Sequence, residues 1–346
     1  MAMMHAAVVE DFDRPLQFRE REIPVPGPGQ ILVKTEACGV CHTDLHAARG
    51  DWPVKPVPPF IPGHEGIGRV VALGTGVTGV AIGDRVGVPW LYSACGRCEH
   101  CLSGWETVCD AAQYGGYTQD GGFAEYMLAD PNYVAHIPPG LSAADAAPII
   151  CAGVTSYKGI KETGARPGEW LVVSGAGGLG HLAVQYGKAM GLKVCAVDVD
   201  AGKLAHATRL GADLVFDIRT EGAIGAIMRA TGGGAHGVLI TAPTLSAFRQ
   251  GVAMTRKHGT CVLVGLPPGD FPVPLFELVA KCITVRGSFV GTRQDMAEAL
   301  AFAADGKVKA EVELQPLSAL NEVFDRLAHG AVASRVVIDF ADAPAM

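Results

Sequence analysis

Four cysteines stand close together in the first half of the chain, at Cys95, Cys98, Cys101 and Cys109. Their spacing is short enough to close one tetrahedral thiolate site, and four thiolates leave no position open for a substrate. We therefore predict a structural zinc. An iron–sulfur cluster is the first alternative, but the ferredoxin pattern has a shorter last gap followed by proline, whereas Asp110 follows here. Free structural cysteines are the second alternative.

A second possible metal site is scattered along the chain as Cys41, His64 and Cys151, with Glu65 beside the histidine. Each type alone is commonplace, because a buried cysteine packs as a small hydrophobe and a lone histidine is more often a satisfied side chain than a ligand. The spacing therefore leaves metal binding open. The position of Cys151 favours metal binding, because the glycine- and proline-rich first part of the chain ends near this residue. A metal there would stand beside a cleft between domains.

Gly175, Gly177 and Gly180 form a GxGxxG pattern between an apolar run and an amphipathic stretch. In this context the glycines allow a tight turn, the approach of the backbone to a pyrophosphate, and close packing of helix on strand. Asp198 closes the next apolar run, where a carboxylate can bind a ribose hydroxyl and would repel a 2′-phosphate. The pattern predicts a site for NAD rather than NADP. The alternative is a plain strand-to-helix turn with an exposed aspartate.

The elements that must hold these residues differ between two parts of the chain. Up to residue 153 the sequence is rich in glycine and proline, with short β-like runs at 31–34 and 66–73. From residue 170 onward apolar runs alternate with amphipathic stretches, which is typical of βαβ units. Candidate strands are 171–174, 194–198, 214–217, 238–241, 261–265 and 284–289. Six such strands suit a doubly wound parallel sheet.

We therefore predict two domains. Residues 154–289 form a nucleotide-binding domain inserted into a β-rich domain made of 1–153 and 290–346. The tail of the β-rich domain adds a helix at 295–304 and a strand at 335–340. The helix after the glycine pattern should pack on the sheet through Leu179, Leu182, Ala183, Tyr186 and Met190.

Composition narrows the class of protein. The 346 residues are 49% hydrophobic and 18% charged, so the chain is globular rather than disordered. With 28 basic and 35 acidic residues the net charge is −7, which disfavours nucleic acid or an anionic membrane as a partner. The sequence has no visible export signal and no apolar run of membrane-spanning length. Its clustered cysteines suit a reducing compartment, and we expect a cytoplasmic protein.

Taken together and in this order, the motifs resemble those of zinc-dependent medium-chain alcohol dehydrogenases, most closely the tetrameric bacterial branch that acts on ethanol and similar alcohols. The motifs are Cys41-His42-Thr43-Asp44-Leu45-His46, Gly63-His64-Glu65 followed by Gly66 and Gly68, the cysteine quartet, Cys151-Ala152-Gly153-Val154-Thr155 and the glycine pattern. The resemblance covers essentially the whole chain. It implies an α/β fold in which a Rossmann doubly wound sheet is inserted in a GroES-like β-rich catalytic domain, and it implies a homotetramer.

The resemblance also assigns a metal site. It implies that Cys41, His64 and Cys151 hold a catalytic zinc, with water or the substrate oxygen as fourth ligand. Glu65 is expected close to the metal, and Asp44 is expected to orient His64, as bound imidazoles generally require. With the quartet, each chain would then carry two zinc ions.

Proton transfer and cofactor contacts are implied in the same way. Thr43 would bond the substrate oxygen and pass its proton through the cofactor ribose to His46 at the surface. His42 and Arg335 match positions that contact the pyrophosphate, and the alternative for both is a solvated side chain. Further cofactor contacts are expected at Gly178, Leu179, Lys203, Val264 and Val290.

The implied activity is reversible hydride transfer from an alcohol to NAD⁺, because zinc makes the alcohol ionisable near neutral pH. Trp52 and Trp90 occupy stretches that line the pocket in similar enzymes, where they would favour short primary alcohols. Ordinary packing in the β core is the alternative for both. Alternatives for the whole protein are a related polyol or aryl-alcohol dehydrogenase, an aldehyde reductase, or a zinc-stabilised nucleotide-binding protein without catalysis.

Four cysteines remain outside these sites. Cys195, Cys261 and Cys282 lie in or beside apolar runs, so burial is expected. Cys38 and Cys41 form a CxxC pattern, but a disulfide there would remove a zinc ligand.

Overall fold

A computed structural model describes residues 2–332 and 334–340 of the protein. By its internal contacts the chain forms two compact units. The first unit comprises Met1–Cys151, Thr292–Ala304 and Ala310–Met346, and the second comprises Ala152–Gly291 and Asp305–Lys309. The second unit therefore extends two residues beyond the predicted insertion at each end, and it also takes in a short segment near the C-terminus.

Short strands dominate the first unit up to Cys151. They are β1 (Met3–Val8), β2 (Gln17–Glu22), β3 (Ile31–Val40), β4 (Glu65–Leu73), β5 (Arg85–Val88), β6 (Leu91–Ser93), β7 (Gln113–Tyr114), β8 (Tyr126–Ala129) and β9 (Ala135–His136). Between them lie the short helices α1 (His42–Arg49), α2 (Glu99–Leu102) and α3 (Ala143–Ala146), and the 3₁₀ turns Glu106–Val108 and Ala147–Ile150.

Strands β3 and β4 position the first metal cluster. They pair antiparallel, with Gly39 opposite Glu65. Alternate residues such as Ile31, Val33 and Val70 enter a common core, as expected for a sheet with one buried face. Because the pairing reaches the last residues of β3 and the first of β4, the segments just beyond these strand ends come together.

The second unit alternates helices and strands. Its helices are α4 (Ala152–Thr163), α5 (Gly180–Ala189), α6 (Ala201–Arg209), α7 (Ala223–Ala230), α8 (Leu245–Met254) and α9 (Leu275–Lys281). Its strands are β10 (Trp170–Ser174), β11 (Lys193–Asp198), β12 (Leu214–Asp217), β13 (Ala235–Ile240), β14 (Thr255–Leu263) and β15 (Thr284–Gly287).

The six strands of this unit form one parallel sheet in the order β12-β11-β10-β13-β14-β15. This is the predicted doubly wound arrangement. The interiors of β10 and β11 are completely buried, because helices cover a parallel sheet on both faces. Leu182, Ala183 and Tyr186 of the predicted apolar face are completely buried in α5, whereas Leu179 and Met190 cap the helix and are only partly buried.

The chain then returns to the first unit through α10 (Arg293–Ala304), β16 (Val312–Gln315), α11 (Leu320–Ala328) and β17 (Arg335–Asp339). β17 pairs antiparallel with β3, and β16 pairs parallel with β17. The resulting sheet has the order β16-β17-β3-β4-β5-β9, with β8 also on β3. The tail thus adds the strand that begins with Arg335 directly beside β3.

The cysteines outside the metal clusters follow the predictions in part. Cys195 and Cys261 are completely buried in β11 and β14, as predicted, and burial raises the pKa of each thiol to about 12. Cys38 is also buried, within β3. The prediction for Cys282 is wrong, because this residue is exposed in a left-handed turn (φ 52°) after α9, a helix that buries none of its residues.

Candidate functional site

A buried cluster unites the residues that the sequence places in the first metal site. One ligand atom each of Cys41, His64, Glu65 and Cys151 lies within 4.8 Å of all the others, and all four residues are buried. His64 Nε2 lies 3.1 Å from Cys151 Sγ. Three segments distant in sequence supply the cluster. Cys41 follows β3, Glu65 begins β4 with His64 directly before it, and Cys151 follows the 3₁₀ turn Ala147–Ile150.

Asp44 fixes the orientation of this cluster. The residue is 1% exposed, and its Oδ1 lies 2.7 Å from His64 Nδ1. The same carboxylate accepts hydrogen bonds from the backbone N–H of Cys41 and of Gly63. Because Asp44 engages Nδ1, Nε2 of His64 is left to face the two sulfurs, which is the arrangement of a metal-binding histidine. The expectation that Asp44 orients His64 agrees with this geometry.

Charge inside the cluster favours a thiolate. The hydrogen bond with Cys151 lowers the pKa of Cys41 well below its usual range against the opposing effect of burial, and His64 and Arg335 add to this. The thiolate is the form of cysteine that binds metal. Two sulfurs, one imidazole and a nearby carboxylate are a donor set that suits zinc and leaves a position for a further ligand.

Glu65 forms a buried ion pair that the sequence does not reveal. Arg335 Nη2 donates to Glu65 Oε1, and the two residues are 5% and 0% exposed. Within the part of the chain that the structure describes, Glu65 Oε2 has no hydrogen-bond partner. Such an oxygen inside a cluster of metal-binding groups fits a site built for a cation. The alternative of a solvated side chain is therefore wrong for Arg335.

The backbone of β3 also passes close to the Glu65 carboxylate of this ion pair. A Cβ on Gly39 would lie 1.8 Å from Glu65 Oε2. A larger residue at position 39 would have to displace the Glu65 carboxylate, so glycine here preserves the Glu65–Arg335 pair.

The predicted relay residues lie on α1. Thr43 and His46 are three positions apart and therefore share a face of the helix. Thr43 is partly buried and His42 is exposed. His46 Nδ1 lies 2.7 Å from Asp51 Oδ2, a partner that sequence reasoning missed. The available signal is the left-handed Gly50 that ends α1, because it turns Asp51 back toward the helix.

Trp52 and Trp90 belong to an aromatic group beside His64. The Trp90 ring lies 5.5 Å from the His64 ring and 6.0 Å from that of Trp52, edge-on in both cases. Tyr117 contacts both indoles, and its hydroxyl donates to the carbonyl of Val54. Trp90 is 6% exposed, whereas Trp52 is partly exposed. Sequence reasoning missed Tyr117.

The cysteine quartet forms a second cluster. One sulfur each from Cys95, Cys98, Cys101 and Cys109 lies within 4.8 Å of all the others. Hydrogen bonds from the backbone N–H groups of Arg97 and Cys98 lower the pKa of Cys95 to about 6. Four sulfur donors fit a closed structural zinc site.

A buried carboxylate ties the quartet segment to α10. Glu106 is 4% exposed and accepts from Arg293 Nε at 3.0 and 3.1 Å, from Nη2 at 2.8 Å and from the backbone N–H at 2.9 Å. The guanidinium also lies 4.6 Å above the Tyr133 ring. Tyr133 in turn donates its hydroxyl to the carbonyl of Ala94, next to the first cysteine. Neither Glu106 nor Arg293 stands out in the sequence.

The glycine pattern forms the turn between β10 and α5. Gly175 has a left-handed φ of +99°, and a Cβ there would lie 2.7 Å from the backbone nitrogen of Ala242. A Cβ on Gly180 would lie 1.8 Å from the carbonyl oxygen of Gly175. A Cβ on Gly177, by contrast, would meet no described atom closer than Lys203 Nζ at 4.0 Å. The first and last glycines thus close the turn, and the middle one leaves room for a phosphate.

Of the other predicted cofactor residues in the second unit, Gly178, Leu179 and Asp198 lie at this turn. Gly178 and Leu179 complete the turn, and Leu179 is the N-cap of α5. Asp198 ends β11, and its Oδ2 accepts from the backbone N–H of Ala176 in the glycine turn at 2.7 Å. Val264 follows β14, and Val290 has a positive φ of 44°, which is strained for a β-branched residue.

A doubly wound dinucleotide-type sheet and a sheet unit with two metal-binding clusters define the class of zinc-dependent oxidoreductases. Comparison with known proteins gives the family. Residues 27–139 match the family model of the alcohol dehydrogenase GroES-like domain, and residues 178–305 match that of the zinc-binding dehydrogenase domain. The chain belongs to the zinc-binding alcohol dehydrogenase family, and the predicted family and fold class are confirmed.

Individual relatives agree with this assignment. The chain is 56% identical to an alcohol dehydrogenase of Rhizobium meliloti over 97% of its own length and 98% of the relative. It is 55% identical to an alcohol dehydrogenase of Moraxella sp., over 97% and 99%. Among solved structures, the alcohol dehydrogenase of Aeropyrum pernix has a TM-score of 0.89 and 32% identity, covering 97% of this chain and 99% of that one. Among the described residues, no helix has the length and apolar character to cross a membrane.

Proposed function

We propose that the protein oxidises short-chain, mainly primary, alcohols reversibly with NAD⁺. The products are an aldehyde, or a ketone from a secondary alcohol, together with NADH and a proton. The observation that carries the proposal is the buried cluster of Cys41, His64 and Cys151 with Glu65 beside it. The family assignment and the named relatives support the same activity.

Two zinc ions per chain have separate roles in this proposal. Cys41, His64 and Cys151 hold the catalytic ion, and the quartet holds the structural one. When bound, the catalytic zinc supplies a Lewis acid that lowers the pKa of a coordinated hydroxyl. Asp44 keeps the imidazole of His64 in the tautomer that presents Nε2, and the Arg335 guanidinium balances the charge of Glu65 within the buried cluster.

Proton transfer is assigned to the exposed side of α1. Thr43 Oγ1 accepts the proton of the substrate hydroxyl and passes its own proton on toward His46. Asp51 holds Nδ1 of His46, so Nε2 is left to exchange the proton with water.

Replacing Thr43 by alanine should lower kcat by about 100-fold or more, the typical effect of removing a proton-transfer group, and leave the Kd for NAD⁺ nearly unchanged. Thr43→Ser should keep most of the activity, and equal losses of kcat and NAD⁺ affinity in Thr43→Ala would contradict the relay.

The second unit is the proposed NAD-binding domain, and the first is the proposed zinc-binding catalytic domain. NAD⁺ accepts the hydride when bound. The glycine turn receives the pyrophosphate at the N-terminus of α5, where backbone N–H groups and the helix dipole favour an anion. Asp198 holds the adenosine ribose, with Lys203 near the turn. His42 and Arg335 are further candidates for contact with the pyrophosphate.

The aromatic group sets the proposed substrate range. Trp90 lies beside the His64 imidazole, Trp52 lies against Trp90, and Tyr117 packs on both indoles. Rigid rings close to the reacting atoms leave little room for branched or bulky alcohols. The value of kcat/KM should therefore fall as the alcohol becomes larger or more branched, and a steady rise with bulk would contradict this part of the proposal.

A homotetramer in the cytoplasm completes the proposal. Leu275, Phe276 and Val279 of α9 are 74%, 87% and 77% exposed, and β15, which follows α9 in the chain, is an edge strand of the sheet. Exposed apolar side chains next to an open strand edge are typical of surfaces that pair with another chain. Light scattering tests the assembly, and a monomer would contradict it. The free cysteines agree with a reducing compartment.

The decisive experiment measures reduction of NAD⁺ and NADP⁺ with a panel of alcohols, before and after chelation, together with zinc content. We expect two zinc ions per chain, activity with NAD⁺ and short primary alcohols, and loss of activity after chelation. One zinc per chain and no turnover would instead support a nucleotide-binding protein stabilised by the quartet alone. Oxidation that survives complete removal of zinc would contradict the proposed mechanism.

A further inference from the structure

Two aspartates stand side by side where the parallel strands β11 and β12 end. Asp198 is the last residue of β11 and Asp217 the last residue of β12, and the sheet register pairs them directly. Neighbouring strands lie about 4.8 Å apart. In a doubly wound sheet a dinucleotide binds outside the carboxyl ends of the strands. Asp217 therefore lies next to the carboxylate assigned to the adenosine ribose, although no sequence motif marks it.

Asp217 holds a guanidinium at this edge. Arg219 Nε donates to Oδ1 of Asp217 at 3.0 Å and Nη2 donates to Oδ2 at 2.7 Å, so both carboxylate oxygens are engaged. The backbone N–H of Arg219 donates to the same Oδ1 at 2.9 Å. This pairing lowers the pKa of Asp217 to about 2, so the carboxylate is charged at neutral pH.

The charge of this edge decides which nucleotide it accepts. Asp198, Asp200 and Asp217 contribute three negative charges, and Lys203 and Arg219 contribute two positive ones. The planar fork of arginine is the side chain best suited to a phosphate, and a phosphate monoester carries nearly two negative charges at neutral pH. The chain thus has a suitable cation close to the ribose carboxylate, but another carboxylate already occupies it.

We propose that Asp217 determines cofactor specificity by holding Arg219 away from the 2′-phosphate of NADP. Asp198 repels that phosphate, and Asp217 withholds the nearby guanidinium that could bind it. Neutralising Asp217 frees the guanidinium and removes one negative charge from the same edge. The inference rests on the proposed binding of NAD at Asp198.

The test compares two probes that differ only in the 2′-phosphate. Adenosine 5′-monophosphate and adenosine 2′,5′-bisphosphate are titrated into the zinc-loaded enzyme by calorimetry, and the ratio of their Kd values is the readout. In Asp217→Asn the ratio should shift toward the bisphosphate by about tenfold or more, the size expected for new charged hydrogen bonds. Asparagine can still accept the backbone N–H of Arg219, so the turn after β12 is kept.

Two further variants separate the role of the arginine from a general charge effect. When Asp217→Asn is combined with Arg219→Ala, most of the shift toward the bisphosphate should disappear. Arg219→Ala alone leaves the Asp217 charge unpaired and should therefore give no gain for the bisphosphate, with any shift of the ratio toward the monophosphate. Glu313→Gln is the matched control, because Arg326 contacts both oxygens of Glu313 at 2.7 and 2.8 Å in the first unit. This control should leave both affinities unchanged.

The outcomes separate the role of Asp217 in specificity from the binding of NAD itself. An unchanged ratio in Asp217→Asn, or a gain that survives the loss of Arg219, overturns the specificity role and leaves NAD binding intact. If neither nucleotide binds the unaltered enzyme, the proposed dinucleotide site fails as well.

Discussion

The two metal-binding clusters of the first unit are equally compact but are built in opposite ways. Cys41, His64 and Cys151 come from three distant segments and are all buried. The quartet comes from the single segment 95–109, and three of its four cysteines are partly exposed. The first cluster is positioned by sheet pairing and by Asp44, whereas the quartet lies in a segment with little regular structure of its own.

This difference indicates whether each zinc ion contributes mainly to catalysis or mainly to stability. Strands β3 and β4 pair and share a buried apolar core, so packing of the sheet stabilises the segments that carry the first cluster. The quartet has no comparable core among the described residues, and zinc–thiolate bonds then supply folding free energy directly. We therefore expect the first ion to matter for chemistry and the second for stability.

The largest expected effect is on turnover, from His64→Ala. Loss of the imidazole should remove the catalytic zinc and lower kcat/KM by about 1,000-fold or more, because the ion provides several kcal/mol of charge stabilisation in the transition state. The quartet should keep its zinc, so metal analysis should give one ion per chain. Near-normal turnover, or loss of both ions, would break the distinction between the clusters.

Cys98→Ser tests the opposite side of the comparison. The variant should lose the quartet zinc and unfold at a lower temperature, with the free energy of unfolding reduced by several kcal/mol. Any enzyme that stays folded at low temperature should keep its catalytic zinc and a substantial kcat. Unfolding at the normal temperature would show that the quartet segment does not need its metal.

Asp44→Asn sharpens the comparison within the buried cluster. Asparagine fits the same space but lacks the negative charge that the Asp44 carboxylate places beside Nδ1 of His64. Such changes around metal-binding histidines lower metal affinity by about 10- to 100-fold. Release of zinc to a chromophoric chelator should show two phases, of which only the phase belonging to the catalytic ion becomes faster. A uniform change in both phases would instead indicate a general loss of structure.

The sequence predicts the ligands of both clusters but not the residues that hold them. Cysteine spacing and the glycine pattern are local signals, and they identify the metal-binding groups and the dinucleotide turn. The Glu65–Arg335 pair joins positions 270 residues apart, and Glu106–Arg293 joins positions 187 apart. No local pattern encodes such pairs, because they form only when the tail returns to the first sheet.

Strand boundaries have a similar physical limit. β14 begins at Thr255, six residues before the predicted start at 261, because its first residues include the polar Arg256, Lys257 and His258. An apolar run marks only the buried half of such a strand. The same reasoning misplaced Cys282, where the run lies at the surface.

The smallest expected effect comes from Glu106→Gln, which loosens the link between the quartet segment and α10. Glutamine keeps the shape but removes the charge that binds the Arg293 guanidinium. Because Arg293 is half exposed, we expect a loss of only about 1–2 kcal/mol in unfolding free energy, below the cost of a fully buried pair. The chelator experiment should show faster release from the quartet and unchanged release from the catalytic site. Glu313→Gln removes a comparable arginine partner away from the quartet and serves as the control. If Glu106→Gln behaves like this control, the quartet segment is held by its zinc alone.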